Sequence, residues 1–359
     1  MNYKIALLPG DGIGPEVIEQ AVKVLEVTGE AAGHRFSFTE GLVGAMAIDR
    51  TGNPFPDETL AICRSADAIL FGAIGHPRYD NDPSAKVRPE QGLLRMRSEL
   101  GLYANVRPVK SFPALAGMSP LKEETVAGTD IVMIRELTGG IYFGKPRGRS
   151  EDGLTAYDTC TYSRYEIERV VHLGCRYAMQ RRKKVTVIDK ANVLATSRLW
   201  RETAKKIAGD YPELEMDFMF VDNAAMQLIR NPSVFDVIVT ENMFGDILSD
   251  EASVITGSIG MLPSASIGLS ASLYEPIHGS FPQAAGKNIA NPVGTILSAA
   301  MMLELSFGLV KEAGWIVRAV EEAVNEGVVT SDLDAGNPHS TSEVGEHIRG
   351  LVKRLSGNG

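Results

Sequence analysis

The sequence runs VTVIDKANVL at residues 185–194, MDFMFVDNAAMQLI at 216–229 and FDVIVTENMFGDILSDE at 235–251, and these three stretches decide the fold class. In each stretch, a short apolar run typical of a buried strand gives way to a charged residue and then to a helical pattern. Strands that alternate with helices predict an α/β architecture. Ligand sites in such folds gather at the carboxyl ends of strands, so we expect the charged residues at these junctions to share one site. They are Lys190, Asp222, Asp246 and Asp250.

Length and composition limit the class of protein. The 359 residues predict about two domains, and an apolar content of 44% is enough for a sizeable core. A net charge of −9 argues against nucleic acid or an anionic membrane as the main partner. The cysteines Cys63, Cys160 and Cys175 form no CxxC pair, which favours a reducing cytoplasm. The uncharged stretch 252–274 contains Gly, Ser and Pro263, so it predicts buried loop and short helix rather than a membrane span.

From residue 139 the alternation of strands and helices breaks down. GGIYFG (139–144) and GLTAYDTCTYS (153–163) predict paired strands around the turn-rich KPRGRSEDG (145–153). A hairpin with so few long apolar residues packs poorly on its own. We therefore expect an arm that pairs with a second subunit.

Asp246 and Asp250 lie four residues apart in a helical pattern, which places both carboxylates on one helix face. Like charges at this spacing repel each other, and a solvated helix face is the simpler interpretation. The neighbouring Phe244 and Leu248, together with the preceding buried strand, favour a metal site instead. Joined by Asp222, the pair would form an oxygen-rich site of the kind that suits Mg²⁺ or Mn²⁺.

The other charged residues also have structural alternatives. Asp222 lies between an apolar run and a helix, so it also fits a helix N-cap. Lys190 follows Asp189 and also fits an ordinary ion pair with it. Three arginines fit solvated surface groups when taken singly, but together they predict an anion clamp, because guanidinium groups bind carboxylates in bidentate geometry. They are Arg97, Arg107 and Arg135.

Two glycine-containing turns are candidates for cofactor binding. Gly10, Gly12 and Gly14 lie between a strand and a helix and resemble a dinucleotide turn, but their spacing is GxGxG rather than GxGxxG. A tight turn without phosphate contacts explains them equally well. His278 begins an HGS turn whose backbone donors predict a cradle for a cofactor, although a lone histidine more often has a structural role.

In order and spacing, the motifs of this chain resemble those of the β-decarboxylating dehydrogenases, the isocitrate/isopropylmalate dehydrogenase family. The likeness covers nearly the whole chain and is strongest to the members that oxidise 3-isopropylmalate. The motifs are LPGDGIGPEV (8–17), RPEQGLL (88–94), NVRP (105–108), IRELTGGIYFGKPRG (134–148), VIDKANVL (187–194), VDNAAMQLI (221–229), TENMFGDILSDE (240–251), GMLPSAS (260–266), EPIHGS (275–280) and AGKNIANP (285–292).

The resemblance implies a two-domain α/β fold of the family's own type, which is not a Rossmann fold. One domain would combine residues 1–103 with 257–359, on the cofactor side, and the other would comprise residues 104–256. A β-hairpin arm at about residues 139–162 would lie at the interface of a homodimer. The active site would lie in the cleft that the two domains form.

The resemblance further implies active sites that two subunits share. Asp246 and Asp250 would bind the metal from one chain, Asp222 and Lys190 would come from the partner, and a monomer would be inactive. In the family's reaction, Lys190 takes the proton of the C2 hydroxyl while hydride passes to the nicotinamide. The metal stabilises the enolate that loss of CO₂ leaves. Tyr142 then matches the proton donor to the enol.

Substrate and cofactor contacts also follow from the resemblance. The substrate would be a 2-hydroxy acid with a second carboxylate on C3, and the cofactors would be NAD with Mg²⁺ or Mn²⁺. An apolar surface of Leu93, Leu94 and Val193 favours 3-isopropylmalate over isocitrate, whose extra carboxylate would be stranded there, with D-malate or tartrate as the alternative. Gln283 stands where NAD-using relatives usually have Asp and NADP-using ones Lys, which favours NAD. The carboxylate contacts would be Arg97, Arg107, Arg135 and Asp222, and the cofactor contacts Glu90, His278, Gly279, Ser280, Gln283, Gly286 and Asn291.

Two other classes of function use the same residues. A metal-dependent hydrolase could be built on the aspartates, but it leaves the EPIHGS segment without a role. A non-catalytic binding protein would have no need of Lys190 and Tyr142. We therefore expect a cytoplasmic NAD-dependent enzyme that acts on a small molecule and binds neither nucleic acid nor membrane.

Overall fold

The computed structural model describes residues 1–82 and 85–357, and its contacts divide the chain into two compact units. The first unit is Met1–Leu102 with Gly257–Gly359, and the second is Tyr103–Thr256. The strands of the described residues are β1 (Asn2–Gly10), β2 (Arg35–Glu40), β3 (Ala68–Ala73), β4 (Ala104–Lys110), β5 (Asp130–Glu136), β6 (Arg147–Arg149), β7 (Ala156–Asp158), β8 (Lys184–Asp189), β9 (Glu215–Phe220), β10 (Val237–Thr240), β11 (Pro263–Ile267) and β12 (Leu273–Pro276).

Helices separate most of these strands, as expected of an α/β chain. The described helices are α1 (Gly14–Ala32), α2 (Gly44–Thr51), α3 (Asp57–Ser65), α4 (Pro77–Asp80), α5 (Pro89–Glu99), α6 (Glu123–Val126), α7 (Arg164–Met179), α8 (Ala195–Ala208), α9 (Val221–Arg230), α10 (Asn242–Ser253), α11 (Val293–Leu305), α12 (Val310–Asn325) and α13 (Thr341–Gly357).

In the first unit the strands lie in the order β2-β1-β3-β12-β11. The pairs β1–β2, β1–β3 and β3–β12 are parallel, whereas β11 and β12 are antiparallel. Helix α11 is apolar on nearly all sides and is buried almost completely, which is the pattern of a helix that lies inside a core. Helix α1 buries one face, which includes Val17, Ala21 and Leu25, as its apolar spacing predicts.

In the second unit the strands lie in the order β4-β5-β10-β8-β9. The pairs β5–β10, β10–β8 and β8–β9 are parallel, so these four strands end at one edge. Each of β8, β9 and β10 is followed by a helix, and the predicted strand-to-helix junctions are therefore confirmed. The core on which this sheet depends is formed by aliphatic residues of β5, β8, β9, β10, α9 and α10, among them Met133, Ile188, Ile238, Leu228 and Leu248.

Two local predictions are wrong. GGIYFG does not form a strand, because Gly140–Tyr142 is a single 3₁₀ turn that Gly140 enters at φ +74°. The hairpin strands are instead β6 and β7, whose residues are all exposed. The stretch 252–274 contains short 3₁₀ helices, as expected, but also strand β11, whose small Ser and Ala residues show no apolar alternation.

No helix within residues 1–82 and 85–357 combines the length and apolar composition that a membrane crossing requires.

The glycine-rich turn after β1 is explained by close approach of backbone segments. Gly10 and Gly12 have φ values of +71° and +60°, and an added Cβ would lie 2.0 Å from the carbonyl oxygen of Ala73 or 1.9 Å from that of Ser280. The amide of Ile13 also donates to the Ser280 carbonyl at 2.8 Å. The turn is therefore packed directly against the segment that carries His278, and only glycine fits there.

This packing predicts that Gly12→Ala destabilises the protein strongly. Gly33→Ala is the matched control, because Gly33 also has a positive φ of +69° but its added Cβ meets nothing within 4 Å in the described part of the chain. We expect Gly33→Ala to lower the free energy of unfolding by about 1 kcal/mol through its backbone conformation alone. Gly12→Ala should lower it by roughly 3 kcal/mol or more, because the Ser280 segment must move. Urea unfolding measures both, and equal losses would contradict the packing argument.

Candidate active site

The carboxylates of Asp246 and Asp250 lie on helix α10, as predicted, and each contacts a guanidinium group. Asp246 accepts hydrogen bonds from Arg135 Nη1 and, at 2.9 Å, from the hydroxyl of Tyr142. Asp250 Oδ1 lies 3.3 Å from Arg107 Nη1. The repulsion between the two acids is offset by these cations, and Asp246 is not part of a solvated helix face.

The two predicted clamp arginines that lie in the second unit are buried, so they are not solvated surface groups. Arg135, in the carboxyl half of β5, is 2% exposed, and Arg107, on β4, is 9% exposed. Arg107 also donates from Nε to Asn105 Oδ1 at 2.6 Å and from Nη1 to the hydroxyl of Ser249. Buried guanidinium groups with fixed neighbours are preorganised to bind a carboxylate of a substrate.

Tyr142 ends the 3₁₀ turn and is half-buried. Burial raises the pKa of its hydroxyl, and the hydrogen bond to Asp246 and the charge of that carboxylate raise the pKa further. The Arg135 guanidinium, 5.9 Å from the ring centre, opposes this effect without reversing it. The hydroxyl therefore holds its proton at neutral pH and can act as a proton donor.

Lys190 and Asp222 follow the adjacent strands β8 and β9, and their side chains form an ion pair of 2.5 Å. This contact lowers the pKa of Asp222 below its ordinary value. The N-cap of α9 is Phe220 rather than Asp222, so the N-cap alternative is wrong. The alternative pairing of Lys190 with Asp189 is also wrong, because Asp189 binds the guanidinium of Arg201 at 2.8 and 2.9 Å.

The structure does not gather all three predicted metal ligands in one chain. Within the described residues, no three His, Cys, Asp or Glu side chains form a group that could hold a metal ion. Asp246 and Asp250 offer carboxylate oxygens on one helix, and the side chain of Asp250 is 66% exposed. Each oxygen of these acids has lone pairs beyond those used by the arginines and Tyr142. This all-oxygen donor set fits a hard divalent cation such as Mg²⁺ or Mn²⁺.

The remaining predicted substrate contacts lie mostly on α5 of the first unit. Arg97 is 9% exposed there, and Leu94 is half-buried on the same helix. Leu93 packs partly against the core that contains Met96, so part of its role is structural. Val193 belongs to the second unit, where it is 62% exposed.

His278 has one ring nitrogen in need of a partner. Its Nδ1 lies 2.9 Å from the carbonyl oxygen of Gly279, so Nδ1 carries the proton and donates it. Its Nε2 is buried and has no hydrogen-bond partner among the described residues. Burial lowers the pKa of the ring, which keeps the imidazole neutral and Nε2 an acceptor. A ligand with a hydroxyl or amide donor would satisfy this atom once the residues that cover it move, because Nε2 is not accessible to solvent.

The other predicted cofactor contacts are divided between structural and exposed groups. Asn291 donates from Nδ2 to Asp332 at 3.0 Å and accepts from the amide of Val293 at the start of α11. Ser280 is buried against the glycine-rich turn. Four further predicted contacts are exposed on the surface of the first unit: Glu90, Gly279, Gln283 and Gly286.

Sequence reasoning missed two carboxylates that organise these loops. Asp11, 4% exposed, accepts backbone hydrogen bonds of 2.8–3.0 Å from Ala45, Met46 and Gly75. Glu16, in the first turn of α1, accepts the amides of Gly286 and Asn288. The available signal was an acid inside a glycine-rich turn and another at a helix start, where acids bind free amides.

The contact between Tyr142 and Asp246 predicts a measurable change in acidity. Asp246→Asn removes a negative charge, so the pKa of Tyr142 should fall, but it should stay above the ordinary value of a tyrosine because burial, the largest cause, remains. Tyrosinate absorbance measures this pKa as the difference between each protein and its Tyr142→Phe counterpart. An unchanged pKa would show that Asp246 does not contact the hydroxyl in solution.

Comparison with known proteins places this geometry in a family. Residues 4–348 match the family model described as isocitrate/isopropylmalate dehydrogenase. The chain is 57% identical over 358 residues to 3-isopropylmalate dehydrogenase of Aquifex aeolicus, covering 99% of this chain and 98% of that protein. It is 53% identical over 356 residues to the 3-isopropylmalate dehydrogenase of Bacteroides fragilis, covering 99% and 100%.

Comparison with solved structures also finds dehydrogenases of this type. The fold is similar to isocitrate dehydrogenase from Methylococcus capsulatus, with a TM-score of 0.88 and 37% identity over 98% of this chain and 99% of that chain. It is also similar to a β-decarboxylating dehydrogenase from Thermococcus kodakarensis, with a TM-score of 0.80 and 37% identity over 98% and 96%. The chain therefore belongs to the isocitrate/isopropylmalate dehydrogenase family.

Proposed function

We propose that this chain oxidises (2R,3S)-3-isopropylmalate at C2 with NAD and decarboxylates the product to 4-methyl-2-oxopentanoate, a step of leucine biosynthesis. Membership of the family makes the chain an oxidatively decarboxylating dehydrogenase and removes the hydrolase and the binding protein as alternatives. The observation that carries the proposal is the Asp246 carboxylate held between a buried guanidinium and the Tyr142 hydroxyl, in a chain 57% identical to a 3-isopropylmalate dehydrogenase.

The side chains of the second unit supply the proton transfers. Lys190, in its neutral form after losing its own proton and its ion pair with Asp222, is proposed to take the proton of the C2 hydroxyl as hydride leaves C2 for the nicotinamide. After CO₂ leaves, the protonated hydroxyl of Tyr142 donates its proton to C3 of the enol. A divalent cation bound by Asp246 and Asp250, with Asp222, would supply Lewis-acid stabilisation for the negative charge that forms.

Substrate binding is proposed to combine two kinds of contact. Arg97, Arg107 and Arg135 would bind the two carboxylates, and all three are largely buried, so their charges are poorly screened by solvent. Leu94 and Val193 would contact the isopropyl group, with Leu93 beside them. An extra carboxylate at that position would lose its hydration without gaining a partner, which disfavours isocitrate.

NAD is proposed to bind the first unit. The unsatisfied Nε2 of His278 would accept a hydrogen bond from the cofactor, and the exposed Gln283 could contact a ribose hydroxyl without the charge that attracts a 2′-phosphate. Gly279 has open space in front of its backbone, which allows a ligand to approach closely. Glu90, Ser280, Gly286 and Asn291 complete the proposed set of cofactor contacts.

A homodimer with shared sites is part of the proposal. Three apolar side chains on α9 and α10 are exposed to solvent in the single chain. Met226, Ile229 and Ile247 are 51%, 49% and 60% exposed. The arm formed by β6 and β7 is exposed throughout and carries Leu154 at its turn, 86% exposed. Exposed apolar patches of this kind mark subunit interfaces. We also propose a cytoplasmic location, which the three unpaired cysteines support.

A panel of substrates and cofactors tests the proposed reaction. We expect NADH formation with 3-isopropylmalate that requires Mg²⁺ or Mn²⁺ and is abolished by a chelator, with much slower turnover of isocitrate and of NADP. Faster turnover of D-malate or tartrate than of 3-isopropylmalate would reassign the chain within its family. Absence of NADH with every substrate of the panel would refute the proposal.

The two proton-transfer roles are separable by mutation. Lys190→Met should lower the rate of hydride transfer by about 10³-fold, because the base is lost. Tyr142→Phe should leave the first-turnover burst of NADH nearly intact while slowing steady-state release of 4-methyl-2-oxopentanoate. Stopped-flow absorbance and product analysis measure the two steps. Equal losses at both steps in Tyr142→Phe would contradict its role as proton donor to the enol.

Complementation tests the shared site. Asp222→Asn and Asp246→Asn should each be nearly inactive as homodimers. In a randomly reassembled 1:1 mixture, half the dimers are heterodimers with one intact site, so about a quarter of the wild-type activity should return. A 1:1 mixture of the Asp246→Asn variant with the Asp250→Asn variant is the matched control. Both changes affect the same half of the site, so no heterodimer contains an intact site. No recovery in verified heterodimers of the first pair would place each site within one subunit.

A further inference from the structure

Asn242 is a buried polar residue for which the proposed reaction has no direct use. It is the first residue of α10 and is fully buried. Its side-chain oxygen accepts two hydrogen bonds from the guanidinium of Arg135, from Nε at 3.1 Å and from Nη2 at 2.8 Å. Arg135 therefore has one edge fixed by the amide, while its remaining nitrogen, Nη1, contacts Asp246.

The other end of the same amide contacts the turn that carries the proton donor. Asn242 Nδ2 donates to the carbonyl oxygen of Gly139 at 3.2 Å, directly before the 3₁₀ turn Gly140–Tyr142. The amide thus uses its acceptor for the carboxylate clamp and its donor for the turn. An amide is required for both contacts, since a carboxylate has no donor and an aliphatic group has neither.

A third contact fixes the position of Asn242 itself. Its backbone amide donates to the hydroxyl of Tyr162 at 2.9 Å. The ring of Tyr162 packs so closely on the turn that a Cβ added at Gly139 or Gly140 would lie 2.6 or 2.4 Å from its atoms. Glu136 holds the turn from the other side, because its carboxylate accepts the amide of Gly139 at 2.7 Å. The turn, the clamp and the start of α10 therefore form one connected network.

We propose that Asn242 is a positioning residue that sets the Arg135 clamp and the Tyr142 turn in register, so that the substrate carboxylate and the proton donor are aligned together. The proposal rests on the proposed function for the identity of the substrate. Displacement of a reacting group by about 1 Å lowers the rate roughly 100-fold. A network that fixes these groups can therefore raise the rate enough to offset the cost of burying its polar atoms. Asn242 acts through its neighbours and does not take part in proton transfer.

Three variants separate the two contacts from simple loss of stability. Asn242→Leu keeps the shape but removes both contacts, whereas Asn242→Asp keeps the acceptor for Arg135 and loses the donor to Gly139. Thr240→Val is the matched control, because Thr240 is fully buried beside α10 and, among the described residues, its hydroxyl bonds the carbonyl of Ile188 at 3.1 Å and neither Arg135 nor the turn. The control should lose stability without any change in the site.

Two readouts test the proposal. The first is the rate at which 4-methyl-2-oxopentanoate exchanges its C3 hydrogens in D₂O with Mg²⁺ present, which reports on Tyr142 without NAD. The second is the KM for 3-isopropylmalate. Asn242→Asp should keep KM within about threefold but slow the exchange by roughly tenfold or more, whereas Asn242→Leu should also raise KM by roughly tenfold. Thr240→Val should leave both readouts within about twofold of wild type.

A third readout needs no substrate and separates failure of this inference from failure of the proposed function. If Asn242 positions the turn, amide hydrogen exchange at residues 140–143 should become faster in Asn242→Asp, because the turn loses the side-chain bond to the Gly139 carbonyl, and should stay constant in Thr240→Val. An unchanged rate of C3 hydrogen exchange, or unchanged amide exchange in the turn, in Asn242→Asp would overturn the inference. If Asn242→Leu does not fold, Asn242→Asp decides alone. A wild-type protein that fails to turn over 3-isopropylmalate would refute the proposed function, while amide exchange in the turn would still test the positioning role.

Discussion

The contact between the Arg135 guanidinium and the Asp246 carboxylate is the constraint on which the second unit depends. Arg135 is nearly inaccessible to solvent, and a buried cation is costly unless charged and polar partners surround it. The Asp246 carboxylate on α10 is such a partner, and it also accepts a hydrogen bond from the hydroxyl of Tyr142. A strand, a helix and a 3₁₀ turn are thereby joined at one carboxylate. The same carboxylate that pairs with the buried guanidinium also adds to the effect of burial in raising the pKa of Tyr142.

The first unit uses backbone contact where the second uses charge. Close approach of Gly10 and Gly12 to their neighbours brings the turn after β1 against the segment that leads from His278. The carboxylates of Asp11 and Glu16 then bind backbone amides of the surrounding loops. The glycines therefore serve packing, and Nε2 of His278 is left without a hydrogen-bond partner among the described residues. The proposed cofactor site therefore does not depend on the phosphate turn that the glycine spacing alone suggests.

The features that could be predicted from sequence are those that depend on local patterns. The junctions after β8, β9 and β10 and the common helix of Asp246 and Asp250 follow from apolar periodicity. The ion pairs could not be predicted in this way, because they depend on competition between residues distant in the sequence. Asp189 pairs with Arg201, so Lys190 pairs with Asp222 instead. The local pattern around Gly140 predicts a strand, but the structure has a turn there. The ring of Tyr162, which is distant in the sequence, packs against this turn and determines its shape. The contacts of Asn242 could not be predicted from its motif, since they exist only through the partners that the fold brings to it.

The central claim is that acids distant in the sequence meet around one divalent ion when two chains assemble. Anomalous scattering from Mn²⁺ in crystals of the assembled protein measures this most directly. We predict one peak per site, within bonding distance of Asp246 and Asp250 of one protomer and of the partner subunit's Asp222, with Tyr142 close by. A peak elsewhere, or one that only a single chain surrounds, would contradict the account.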